Sequence, residues 1–152
     1  MAITLNSERQ YALVAQATVN YTDIANYASA AAAETFTLVE LPAGARILRV
    51  AWNLVTAFAD DAAETQLIDL GTSGGGVTDN PDAFTATEID ADGTTGAAEA
   101  AQSEVGYDEQ YTTPVDIDFT FTPSVGAAAL TAGKIEVFVE YIVDGRGNEN
   151  QG

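Results

Sequence analysis

The sequence predicts an all-β fold: an antiparallel β-sandwich, jelly-roll-like, with long loops and an extended N-terminal arm. Three observations carry this expectation. Apolar and polar residues alternate with a period of two in several segments. The apolar members are mostly β-branched or aromatic, and Pro, Gly and Asp-Gly turn signals separate the segments. About six or seven such strands in one chain suit two packed sheets, and no long internal repeat suggests a solenoid or propeller. The expected organisation is an N-terminal arm over residues 1–10, a sandwich domain over 11–144, and a mobile C-terminal tail over 145–152 (GRGNENQG).

Residues 11–24 (YALVAQATVNYTDI) open the domain as a strand, with Val19 and Tyr21 on one side and Thr18, Asn20 and Thr22 on the other. The alanine-rich stretch Ala28–Ala33 admits either a helical turn or a close-packed extended segment. Glu34–Leu41 (ETFTLVEL) is a strand with Phe36 and Leu38 on one face and Thr35, Thr37 and Val39 on the other. Pro42-Ala-Gly44 is a turn, because Pro presets φ and Gly accepts a positive one. Arg46–Phe58 (RILRVAWNLVTAF) is the longest strand. Leu48, Val50, Trp52 and Leu54 share one of its faces; Ile47, Arg49, Ala51, Asn53 and Val55 share the other.

After a polar turn at Asp60–Glu64, Thr65–Gly71 forms a short strand and residues 72–81 a flexible Gly-rich loop. Residues 82–107, rich in Ala, Gly, Thr and acids, read as a long excursion around Phe84 and Ile89. Val115–Thr122 (VDIDFTFT) alternates most cleanly. Val115, Ile117, Phe119 and Phe121 point inward, and Asp116, Asp118, Thr120 and Thr122 outward. Lys134–Val143 closes the fold, with Ile135, Val137, Val139, Tyr141 and Val143 against Glu136, Phe138, Glu140 and Ile142. The second face of that strand is mixed, so cover on both sides is expected.

Composition excludes much chemistry. The 152 residues hold 23 Asp and Glu against 5 Lys and Arg, for a net charge of -18, with no His and no Cys. Without these two residue types there are no disulfides, no thiolate or imidazole zinc sites and no Ser-His-Asp or Cys-His nucleophile. Hydrophobic residues make up 47% of the chain, too many for a disordered acidic tail. No membrane-spanning run and no secretory signal is visible. Nucleic acid is an unsuitable partner, because phosphate binding requires clustered Lys and Arg. The acids are spread along the chain, which favours a protein working in high salt over one docking through a single acidic patch on a basic partner. At about 1 M salt the Debye length falls to roughly 3 Å, and self-repulsion is screened.

Several constellations have a chemical reading and a plainer one beside it. Asp90-Ala-Asp92-Gly93 resembles part of a calcium loop but lacks its later carboxylates, and an acidic turn accounts for it. Asp116 and Asp118 lie on one strand face, roughly 7 Å apart by the strand repeat. Such a pair suits glycoside hydrolysis, but on an outward face of so acidic a chain a solvated face is the better reading. Gly74–Gly76 is not followed by Lys-Ser/Thr, so it is no nucleotide loop. Trp52 sits among Leu48, Val50 and Leu54, which makes core a better reading than a sugar-stacking platform. Arg46 and Arg49 are the expected anchors of internal or intersubunit ion pairs.

The run from Ala28 to Phe58 passes from an alanine-rich stretch through a strand and Leu-Pro-Ala-Gly-Ala-Arg into a long strand ending Thr-Ala-Phe. Asp79-Asn-Pro-Asp-Ala-Phe84 follows a Gly-rich loop, and Val137–Val143 is followed by Asp-Gly-Arg146. This pattern resembles small head structural proteins of tailed viruses of bacteria and archaea, over about 100 residues by the extent of the matching segments. The resemblance implies a non-enzymatic capsid decoration (cement) protein on the capsid exterior. Its implied partners are the major capsid protein and itself, as a homotrimer, with no membrane partner. It carries over no catalytic, metal or cofactor residue. The acidity would fit a halophilic or marine host. The interface residues expected for this role are Ile3, Leu5 and Arg9 in the arm, Arg46 and Arg49 on the long strand, and Phe84. Another virion part, such as a fibre or tail knob, and a carbohydrate-binding β-sandwich module are the alternatives.

Overall fold

The computed structural model describes residues 11–24, 33–60, 66–85, 89–91, 96–99, 110–123 and 130–144. The strands are β1 (Leu13–Asn20), β2 (Glu34–Leu41), β3 (Ala45–Asp60), β4 (Gln66–Gly74), β5 (Ile89–Asp90), β6 (Gly96–Glu99), β7 (Val115–Pro123) and β8 (Leu130–Val143). They form two antiparallel four-stranded sheets, ordered β1-β8-β3-β6 and β2-β7-β4-β5. The pairings β1·β8, β2·β7, β3·β6 and β4·β5 are nested. A long hairpin with β4 and β5 at its tip would make the same four pairs. Rolling that hairpin up adds β3·β8 and β4·β7 and splits it into two facing sheets. This is the jelly-roll form of the sandwich, as the alternation led one to expect.

The two inner faces supply the core. Val115, Ile117, Phe119 and Phe121 of β7 are fully buried, as are Ile135, Val137 and Val139 of β8. Phe119 lies 5.0 Å from the Phe36 ring, and Phe121 lies 5.5 Å from Phe58. These alternations hold because neither strand is interrupted at its centre.

Where a bulge occurs, the expected faces are only partly right: Val50, Trp52 and Leu54 do turn to the core, and Leu38 packs against it. In β2 the register shifts between Thr37 and Val39, so Leu38 is the extra residue. Phe36 and Val39, not Phe36 and Leu38, therefore stand opposite Phe119 and Ile117. In β3 a shift between Ile47 and Arg49 makes Leu48 the extra residue. Ile47 consequently joins Val50 and Leu54 in the core, while Leu48 is half-buried. Tyr21 starts a 3-10 turn (Tyr21–Asp23) and is exposed, so it does not share the inward side of Val19.

Two glycines allow close packing. A Cβ on Gly133, where φ is +149°, would lie 2.2 Å from the Phe58 ring. A Cβ on Gly71 would lie 2.2 Å from the Pro81 carbonyl carbon. The segment after the Gly-rich loop thus lies directly over β4. It is held there by the Thr72–Asn80 backbone pair and by the Phe84 N–H donating to the Leu70 carbonyl. The excursion over 82–107 is not structureless: it contains β5 and β6. Residues 1–10 and 145–152, the expected arm and tail, lie outside the described residues, as do Asp61–Glu64 and Ala28–Ala32.

Candidate interaction surfaces

The two outer faces of the sandwich differ in charge, and the register shows why. On the outer side of the β1-β8-β3-β6 sheet, β8 contributes Lys134, Glu136, Phe138, Glu140 and Ile142. Beside them stand Val14, Gln16, Thr18 and Asn20 of β1, and Arg46, Arg49, Ala51, Asn53 and Thr56 of β3. Every described cation is here, and each has an acid within reach. Arg49 Nε lies 3.4 Å from Glu140, its cross-strand partner. Lys134 lies 2.9 Å from Glu136, and Arg46 lies 3.8 Å from Asp144. Exposed pairs of this kind contribute about 0–1 kcal/mol each. Their main effect is to leave this face close to neutral, with half-buried Phe138 and Ile142 and exposed Val14 between them.

The outer side of the β2-β7-β4-β5 sheet is different. Register places Thr35, Thr37 and Glu40 of β2, Asp116, Asp118, Thr120 and Thr122 of β7, and Asp69 and Ser73 of β4 on it. No described cation shares this face. Thr35 and Thr120 are hydrogen-bonded at 2.8 Å, and Thr37 donates to Asp118 at 3.3 Å. Asp118 is only 8% exposed, contrary to its expected solvated position. Its neighbours explain the difference. Its cross-strand partner on one side is Gly71, over which Asn80 and Pro81 are laid, and on the other side is Thr37. Burial, then the Asp118 carboxylate, then that of Glu40 push the Asp116 carboxyl above its ordinary value.

One end of the sandwich gathers several segments. The Gly44 N–H donates to the Tyr111 carbonyl, and the Asp144 N–H to the Gly44 carbonyl. Gly75 donates to the Pro114 carbonyl, and Gly74 to the Asp79 side chain. Gly74, Gly75 and Gly76 all have positive φ, and the first two amides are occupied, so this loop is a structural corner. Leu13 pairs with Tyr141 and Ala45 with Val143. Hence β1 begins and β8 ends at this same end.

The expected interface residues fall in three places. Ile3, Leu5 and Arg9 lie outside the described residues. Arg46 and Arg49 lie on the near-neutral outer face, engaged in the internal ion pairs just given. Phe84 is packed into the domain's own core at 6% exposure, because Gly71 lets its segment close down on β4. It therefore offers a partner little surface. Sequence reasoning missed the exposed apolar strip along β1, where Val14 is 66% exposed. The alternation of this uncharged strand gave no sign that it would stand at a sheet edge.

Trp52 is partly buried against the core, and the exposed aromatics among the described residues are Tyr11 and Tyr21. These bracket β1, about 30 Å apart by strand rise, and so form no single sugar platform. Among the described residues no group of three Asp or Glu is arranged to hold a metal ion. No described helix is long and apolar enough to cross a membrane.

No protein-family model and no curated protein matches the chain. Solved structures do. The chain is similar to one in the cyanophage Pam1 capsid asymmetric unit, at 19% identity and TM-score 0.59, covering 94% of this chain and 92% of that one. It is similar to one in the capsid of Ralstonia phage GP4, at 16% identity and TM-score 0.59, covering 94% and 90%. A third is in the acid-stable capsid of Helicobacter pylori bacteriophage KHP30, at 17% identity and TM-score 0.56, covering 90% and 94%. At these identities the likeness is one of fold, and it spans each chain nearly end to end.

Proposed function

We propose that this chain is a non-enzymatic structural protein of a virion, one that binds the outer capsid surface and stabilises the capsid lattice as a decoration protein. The observation that carries the reading is the reciprocal match in fold and length to single chains of three phage capsid structures. The chain's chemistry agrees with it. There is no His or Cys for nucleophilic or metal catalysis, and the Asp116–Asp118 carboxylates lie on the outer face of a sheet that carries no described cation. The near-neutral outer face of the β1-β8-β3-β6 sheet suits contact with other capsid components, because approaching it desolvates paired charges and apolar groups. The acidic opposite face suits solvent, and its excess charge fits a virus whose surroundings are saline. The assembled form in this proposal is a homotrimer.

The test is co-sedimentation of purified protein with capsids at molar salt, together with its copy number in purified virions. Binding in a fixed ratio to the major capsid protein is the expected result. Absence from virions and failure to sediment with capsids would overturn the proposal. A few copies per particle would instead indicate a fibre or tail component.

A further inference from the structure

We infer that the free edge of β1 is filled, in the assembled protein, by the N-terminal arm of a neighbouring copy, with residues 2–6 pairing as an added strand. This rests on the oligomeric part of the proposal above.

The first ground is the edge itself. Among the described residues β1 pairs on one side only, with β8, through eight consecutive register partners and no bulge. Its sequence, LVAQATVN, holds no charge, no Pro and no Gly. Natural edges of this length are usually blunted by charge, Pro, a bulge or cover. The other sheet edges among the described residues are blunted. β2 carries Glu34 and Glu40 with a bulge between them, while β5 and β6 are only two and four residues long.

The second ground is exposure. Tyr11, Leu13, Val14 and Tyr21 account for all but one of the exposed large apolar residues among those described, and all lie on or beside β1. In a chain of net charge -18, a neutral strip is where a second copy approaches without burying carboxylates.

The third ground is the occupant. Residues 1–10 (MAITLNSERQ) directly precede Tyr11 and contain no charged side chain before Glu8. Ile3 and Leu5 alternate with Ala2, Thr4 and Asn6, the pattern of a strand. Residues 2–6 extended cover about 17 Å of an eight-residue edge that runs about 26 Å, and residues 7–10 leave about 13 Å to reach it from the neighbour's Tyr11. Folding back on its own β1 would require a turn within residues 7–10. A neighbour's arm needs no turn. Passed in one direction from copy to copy, it makes a heterologous contact, which in the homotrimer proposed above closes into a ring. Main-chain hydrogen bonds supply the attraction, and Ile3 and Leu5 set the register.

The chain's lack of cysteine makes the test clean, since introduced thiols are the only ones. Protein carrying Ile3→Cys is mixed with protein carrying a single Cys at each position from Leu13 to Thr18 in turn, then mildly oxidised in molar salt. The expected result is a mixed disulfide that alternates along β1, several-fold stronger at every second position. Combining Ile3→Cys with the best β1 position in one chain should give a ladder that stops at a closed ring. A uniform yield along β1, or none, would overturn the inference. So would cross-linking only within one chain, which would mean that the arm covers its own strand. Predominant disulfides between identical β1 variants would mean that two β1 edges pair directly, and would overturn it as well. The assay needs no capsid, so capsid binding can fail while arm exchange stands, and the reverse.

Discussion

Replacing Phe119 with Ala should remove a large share of the domain's stability, while replacing its neighbour Asp118 should not. Phe119 sits on β7, the strand between β2 and β4, where its register partners are Phe36 and Leu70. It has no exposed surface, and its ring stacks on Phe36 at 5.0 Å with a tilt of 34°. Truncation loses the transfer energy of the ring and leaves a cavity between two sheets that cannot close without shifting β2. The expected cost is about 3–5 kcal/mol, of which the aromatic pair accounts for about 0.5–1.5. Asp118 is also buried, but on the other side of the sheet. Asp118→Ala loses one long hydrogen bond from Thr37, at 3.3 Å, worth about 0.5–1.5 kcal/mol. It also removes a like charge that acts on Asp116. The two effects oppose each other, so a net cost of about 1 kcal/mol or less is expected for the Asp118 change. Urea unfolding of both variants at one salt concentration separates them: the midpoint should fall by about 1–3 M for Phe119→Ala, with an unchanged slope. Equal midpoints for the two variants would refute the inward–outward assignment of β7.

Three further outcomes follow from the surface and the close contacts. The thermal midpoint should rise by many degrees between dilute buffer and molar KCl, and a midpoint that does not move would refute saline adaptation. Asp116→Asn should raise the midpoint at pH 7. The folded protein holds the Asp116 proton more tightly than the unfolded chain, so wild-type stability from this group is present at low pH and lost as pH rises through the raised value. The variant's advantage should therefore shrink as pH falls toward 3.8, and an advantage that instead grew on acidification would contradict the assignment. Gly133→Ala should destabilise by displacing Phe58, whereas Ala132→Gly next to it should cost about 1 kcal/mol or less; similar costs in parallel melts would count against that contact.

The strands with unbroken alternation were legible in the sequence, because one buried face writes its period directly. β7 and β8 came out with the correct faces for that reason. β2 came out with its correct extent and β3 with a shorter one than its 16 residues, both with partly wrong faces, since one extra residue at Leu38 and one at Leu48 invert the parity that alternation relies on. β5 and β6 were not legible: two and four residues are too short to show a period, and they lie among Ala, Gly and acids. The pairing order was not legible either, because alternation says which face is buried and not which strand lies alongside. The same limit applies to the surfaces. Arg46 and Arg49 were readable as ion-pair anchors, but their meeting with Asp144 and Glu140 depends on β3 lying beside β8.

The charge difference between the two faces also bears on where salt acts. Neighbouring strands lie about 4.8 Å apart and same-face residues along a strand about 7 Å apart. Asp116 therefore stands within about 8 Å of both Glu40, its cross-strand partner, and Asp118, a separation comparable to the Debye length at physiological ionic strength and well beyond the roughly 3 Å of molar salt. Repulsion at Asp116 is only partly screened in the first condition and largely screened in the second. The opposite face gains little from the same change, because its cations already pair with Asp144, Glu140 and Glu136. Salt should thus stabilise this molecule mainly through one face of one sheet. Neutralising Asp116 should then make the midpoint less dependent on salt, whereas neutralising Glu140, which leaves Arg49 without that partner, should not.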